Sequence, residues 1–307
     1  MIDITDAHRA KLRTLRLSTF ADIYFELLND EAYEDRLPEE IFFAAVDQAL
    51  EARRQRLVDK AIAAAGFTYP QASIAEIINP EARGMSERQI KRLAATNWRE
   101  HPSNLHIYAP TGTGKTYLAC AIGIEACHAG YSVAYFRLDQ LVAKLAAYSP
   151  SDDQYEAMMR KLTNVDVLII DDFCTISVDL RGQEDLTKIV IERDGRLPTI
   201  ICSQSTAAYW VKVFPSRIGA ESLVSRLNNG RQLKIGDFDM RKHLAKQAAA
   251  AQDSDYPPPQ PHINTKRRPR HTRVVGACQY HKPGNRQYRL TGTAVPPTRS
   301  WQPPRTS

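Results

Sequence analysis

Four residues set the chemical question: Gly112, Gly114, Lys115 and Thr116 fall within the run APTGTGKT that begins at Ala109. Glycines let successive backbone N–H groups turn towards one point, and a lysine followed by a hydroxyl residue adds a cation and a metal ligand. This set suits the phosphates of a nucleotide. Ala109, Pro110, Thr111, Gly112, Thr113 and Gly114 are read as the cradle, Lys115 as the cation at the β and γ phosphates, Thr116 as a ligand of Mg2+, and Tyr117 as the end of the binding segment. Ala109 stands where a glycine is usual, and alanine resists positive φ by about 1 kcal/mol.

Fifty-six residues beyond Lys115, the run VDVLIIDD ends in Asp171 and Asp172. Asp171 is expected to complete the Mg2+ shell, by way of water, and Asp172 to polarise the attacking water as a general base. A further β-rich run ends in Cys202, Ser203 and Gln204, one of which is expected to sense the γ-phosphate or to position water. Arg226 and Arg241 lie further on, in AESLVSRLNNG and GDFDMRK. Spacing alone leaves two readings for each arginine: contact with a neighbour's γ-phosphate, or a surface ion pair.

Such a loop works only between a strand and a helix, and the flanking sequence supplies both. LHIY (105–108) precedes it and TYLACAIGIEACHAG follows it. With SVAYF (132–136), VDVLII (165–170) and PTIICS (198–203), the pattern alternates β-rich and helical runs, as in a parallel sheet covered on both faces. The expected class is α/β, a P-loop NTPase with a parallel β-sheet core. Residues 1–66 carry apolar residues at helical spacing and form an N-terminal helical domain, with Pro38 opening its long helix and Gly66 closing it. Residues 67–247 form the ATPase domain, beginning with a connector over 67–103 in which Ser86 caps a helix. Residues 248–307 form a Pro-rich basic tail, expected to be disordered.

Composition narrows the setting. The chain has 307 residues, 43% hydrophobic and 25% charged, enough for a substantial core. It lacks an apolar run of about 20 residues and an apolar N-terminal block, which predicts a cytoplasmic protein without membrane attachment. Five cysteines without a CxxC pair read as free buried thiols. The net charge of +6 is concentrated in the tail, where ten Lys or Arg after residue 250 face two Asp.

The chain resembles the IstB-like and DnaC-like branch of the AAA+ ATPases. The resemblance rests on NLHIYAPTGTGKTYLACAIGIEAC, GYSVAYFRLDQL, LIIDDF, TIICSQ, the tryptophan of AAYW, and AESLVSRL ending in MRK. It covers roughly residues 10–247, and LRTLRLSTFADIYFELL looks like the helical start of IstB proteins. The resemblance implies that Asp172 is the catalytic acid, Ser203 and Gln204 match sensor 1, Arg226 matches the arginine finger and Arg241 the sensor 2 position. It also implies a transposition helper that binds and hydrolyses ATP, assembles as a ring or spiral on duplex DNA, and recruits or activates a transposase. Arg53, Arg54, Arg56 and Lys60, with Arg88, Lys91, Arg92 and Arg99, are candidate phosphate contacts without strong sequence preference. A DnaC-like helicase loader is the alternative, and an ATP-dependent binding module with vestigial turnover is a third reading. The chain departs from the family at Ala109, at Cys174, where a glycine commonly follows DDF, and in its tail.

Overall fold

The computed structural model describes residues 6–95 and 97–254. The chain begins with α1 (Asp6–Thr14), α2 (Ser18–Leu27) and the 28-residue α3 (Pro38–Ala65). Pro38 stands in the first turn of α3, where its missing N–H leaves nothing unpaired, and Glu39 and Glu40 complement the helix dipole. Gly66, at φ 77°, ends the helix in the left-handed region. The first half of α3 buries Ile41 and Ala45 against Leu27 of α2, while Ala61, Ile62 and Ala65 in its last turns join the main core. One helix thus ties the N-terminal module to the sheet.

Helix α4 (Glu87–Ala94) starts at Ser86, whose hydroxyl accepts the Gln89 N–H at 3.2 Å. Five strands follow: β1 (Asn104–Tyr108), β2 (Val133–Arg137), β3 (Val167–Asp171), β4 (Thr199–Ser203) and β5 (Gly230–Lys234). They pair in the order β2-β3-β4-β1-β5, every pair parallel. Parallel neighbours require crossovers long enough for a helix. The crossovers are α5 (Lys115–His128), α6 (Leu138–Ala146) with α7 (Asp153–Asn164), α8 (Leu180–Arg193), and α9 (Ala207–Val213) with α10 (Arg217–Asn228).

Side chains alternate along each strand, so the sheet divides the core in two. Leu105, Ile107, Ile169 and Ile200 pack with α5, the end of α3 and the 67–103 connector. Leu168, Ile170 and Ile201 pack with α6 to α10. The coverage on both faces matches the expected class. Four strands lie where the β-rich runs predicted them. The fifth, GRQLK, has only Leu233 buried, so its sequence carries no apolar alternation to announce it. Cys120, Cys127, Cys174 and Cys202 are free and buried. Helix α11 (Met240–Ser254) continues past the composition change near residue 247, and the rest of the basic tail, 255–307, lies outside the described residues.

Close packing joins α5 to both the connector and the sheet. A Cβ at Gly123 would stand 2.6 Å from Phe67 Cε1 and 2.8 Å from Ile169 Cδ1. Gly123→Leu is therefore expected to destabilise the fold by about 2 kcal/mol through overpacking, seen as a lower urea midpoint at unchanged m value.

Candidate nucleotide site

The loop leaves β1 and enters α5 through two left-handed glycines, Gly112 at φ 84° and Gly114 at φ 87°. A Cβ on Gly112 would come within 2.9 Å of Asp239 Oδ1, and one on Gly114 within 2.9 Å of Arg83 Nη2. The left-handed backbone favours glycine at both positions. Ala109 is not left-handed, so the backbone cost expected of alanine at that position does not arise. Lys115 is buried, and its ammonium donates to the carbonyls of Ala109 at 2.8 Å and Pro110 at 2.9 Å. Burial pulls its pKa below the ordinary lysine value, opposed by the nearby Asp171 and Asp172.

The carboxylates meet the loop at the ends of neighbouring strands. Thr116 Oγ1 donates to Asp171 Oδ2 at 2.7 Å, and Tyr135 OH of β2 donates to the same oxygen at 2.8 Å. The Asp172 N–H donates to Asp171 Oδ1 at 2.9 Å, so this 1% exposed carboxylate accepts three hydrogen bonds. Its set with Thr116 is the hard-oxygen pair that Mg2+ favours. Asp172 turns away at φ 52°, and its carboxylate stands 3.5 Å from Arg137 Nε. Burial and the adjacent Asp171 raise its pKa, with Arg137 opposing. Cys174 is also left-handed, at φ 57°, which is why glycine suits that position.

Ser203 and Gln204, read together from the sequence, separate in space. The Ser203 hydroxyl donates to the Phe173 carbonyl at 2.8 Å and accepts Trp210 Nε1–H at 3.0 Å and the Ser205 N–H at 3.1 Å. It is 1% exposed and holds the loop after Asp172 rather than facing the cavity. Cys202 is buried as well, and burial pushes its thiol pKa well up. Gln204 is the member of this group that lines the cavity, its Oε1 accepting Thr111 Oγ1 at 2.7 Å.

That cavity measures about 580 Å3, within the range of small-ligand sites. Its polar lining includes Lys115, Thr116, Asp172, Gln204 and Arg241. The lining also includes the apolar side chains of Tyr69, Ile77 and Ile78 of the connector and of Met240 and Leu244 of α11, with Glu76 beside them. It suits a planar base. No local sequence pattern marks these connector side chains, which converge here only through the fold. Helix α11 is fixed over the loop by the Met240 N–H, which donates to the Gly112 carbonyl at 2.9 Å. Arg226 lies elsewhere. Its guanidinium bonds Ser222 Oγ at 2.6 Å and stands 3.5 Å from Asp194, while its carbonyl accepts from Asn104 Nδ2 at the start of β1. It occupies the edge of the sheet opposite the loop of its own chain.

Arg53, Arg54, Arg56, Lys60, Arg88, Lys91, Arg92 and Arg99 are all exposed. Arg56 bonds Thr19, Lys91 pairs with Glu87, and Arg99 pairs with Asp166. Among the described residues, no helix is long and apolar enough to cross a membrane.

A raised carboxyl pKa means that the ionised form is disfavoured by the fold. Stability from this group is then fully present below the ordinary aspartate value near 3.9 and is lost as pH rises through the raised value. Asp172→Asn removes that charge and also tolerates positive φ. Its melting temperature is expected to exceed the wild type's at pH 7.5, with the difference closing as the pH falls below about 4. Scanning calorimetry across that range tests this.

The model of the family described as IstB-like ATP binding protein matches residues 10–248. A protein of Sinorhizobium fredii named as an insertion sequence ATP-binding protein is 28% identical over 239 residues, covering 78% of this chain and 97% of its own. A likewise named insertion sequence protein of Pseudomonas fluorescens is 32% identical over 159 residues, covering 52% and 68%. Similar solved structures include AMPPCP-bound DnaA from Aquifex aeolicus, at 22% identity and TM-score 0.47. The match covers 60% of this chain and 56% of that one, just over half of the DnaA. Another is the DnaC helicase loader, at 19% identity and TM-score 0.44, covering 54% of this chain and 98% of the loader. The family match spans the phosphate loop, both carboxylates and the α11 residues over the cavity, and this chain belongs to the IstB-like ATP binding proteins.

Proposed function

We propose that the chain is a Mg2+-dependent ATPase that assembles on duplex DNA and serves the transposase of an insertion sequence. The observation that carries the catalytic part is the 2.7 Å contact between Thr116 and Asp171 beneath the loop, with Asp172 and Gln204 opening on the same cavity. Thr116 and Asp171 would hold Mg2+, which when bound neutralises charge along the phosphates. Lys115 leaves the loop carbonyls for the β and γ oxygens, and the loop N–H groups cradle the chain of phosphates. Gln204 orients a water, and Asp172 accepts its proton as the water oxygen attacks the γ phosphorus and the bond to ADP breaks. Arg241 adds positive charge at the rim.

Arg226 acts on a neighbouring copy in this reading, since it stands at the far edge of its own sheet. Turnover then depends on assembly, and assembly of several copies repeats the exposed cations of α3 and α4 along a DNA backbone. The link to transposition is supported by the names of the relatives, which are insertion sequence proteins.

The test is ATP turnover and DNA assembly measured together. Duplex DNA is expected to stimulate turnover, and DNA affinity to fall steeply between 50 and 200 mM salt. Lys115→Ala should lose nucleotide binding and assembly. Arg226→Ala should bind nucleotide as the wild type does while turnover on DNA falls on the order of 10^3-fold. Turnover indifferent to DNA, together with normal assembly of Lys115→Ala, would sink the proposal.

A further inference from the structure

Arg83 sits in the turn that follows Pro80 and is 2% exposed, yet it lines the nucleotide cavity. Its Nη2 donates to the Thr113 carbonyl at 2.8 Å, and its buried Nε has no acceptor. No carboxylate among the described residues pairs with it. Burial alone lowers its pKa, with no charged partner acting on it. A guanidinium carries five N–H donors, so one carbonyl leaves this one far from satisfied.

The other deeply buried arginine shows what a purely structural one needs. Arg193, 1% exposed, donates to the carbonyls of Leu162, Val165 and Pro198 and to the Thr199 hydroxyl. Its donors are matched by the fold itself. Arg83 is instead held in place by its backbone: its carbonyl accepts the Gly236 N–H at 2.7 Å, and its N–H bonds the turn at Asn79 and Pro80. Its side chain is aimed at Gly114, where any Cβ would strike Nη2 at 2.9 Å. A cation buried without an anion is costly, and the fold places this one against Gly114 at the N-terminus of α5, in the lining of the same cavity as Lys115.

We propose that Arg83 is a diphosphate-binding residue, whose missing counter-charge is a non-bridging oxygen of the α or β phosphate of bound nucleotide. The inference rests on nucleotide occupying this cavity. The connector thereby reads the phosphates directly, and through Gly236 the same residue ties nucleotide occupancy to the segment that leads into α11.

Two charge-removing variants separate this from a structural clasp. Arg83→Met removes all donors; Arg83→Gln keeps an amide that can still serve the Thr113 carbonyl. ADP binding by calorimetric titration and melting temperature without nucleotide are measured for both and for the wild type. The expected result is an ADP Kd about 10- to 100-fold higher in both variants, as for loss of a charge-assisted hydrogen bond. The nucleotide-free melting temperature should be unchanged or higher, because an unpaired buried charge has gone. A lower melting temperature or failure to fold in Arg83→Met overturns the proposal, as does wild-type ADP affinity in Arg83→Met or in Arg83→Gln. Absence of ADP binding by the wild type would instead remove the nucleotide assignment of the cavity itself.

Discussion

The hydrogen bond from Thr116 to Asp171 is the contact about which the site is built. Thr116 stands in the first turn after the β1 loop, and Asp171 is the last residue of β3, two strands away in the sheet. Their meeting requires β4 to lie between the two strands and all three to end at one level, which parallel pairing in register provides. Tyr135 brings β2 to the same carboxylate. A carboxylate removed from water is tolerable only when hydrogen bonds replace its solvation, and three donors do so here. One oxygen pair thus records the order of the sheet.

Holding Asp171 inward has a consequence for the residues after it. The chain must reverse at once, and it does so through two non-glycine residues at positive φ, Asp172 and Cys174. Such residues persist where the surroundings fix them. The Phe173 peptide between them is held at both ends, its N–H by the Cys202 carbonyl and its carbonyl by Ser203. Trp210 completes the clamp from α9, donating to Ser203 and stacking edge-on against Phe173 with ring centroids 4.8 Å apart. Trp210 and Ser203 therefore serve the carboxylate loop, while Gln204 is left to face the cavity.

The parts of the site legible in the sequence are those encoded by consecutive residues. APTGTGKT is a local conformation with its own helix, and LIIDD is a buried strand whose polar end must lie at an edge. Choosing between Ser203 and Gln204 was beyond composition, because at a strand end the direction of a side chain depends on what packs above it. Arg83, Tyr135 and the apolar lining of the cavity belong to segments whose local sequence specifies a turn, a strand and a connector. Their roles arise from distant packing: Phe67 against Gly123, and Gly236 against Arg83. β5 is hidden in the sequence for a related reason. An edge strand with one buried side chain is fixed by its ladder to β1, which its own sequence does not describe.

The two edges of the sheet carry different charges to different ends. At the carboxyl edge lie Lys115, Arg83 and Arg241 with the acidic pair; at the amino edge lies Arg226, anchored by Asp194 and Ser222. The five residues of β1 separate these edges by roughly 15 Å, at about 3.3 Å per residue. An arginine side chain fixed to a helix at one edge does not cross that distance through a packed sheet. Its guanidinium meets a triphosphate only where the amino edge of one copy abuts the carboxyl edge of another. On the proposed reading, the distance that removes Arg226 from its own site is what makes hydrolysis a property of the assembly, and DNA that aligns successive copies becomes part of the catalytic arrangement.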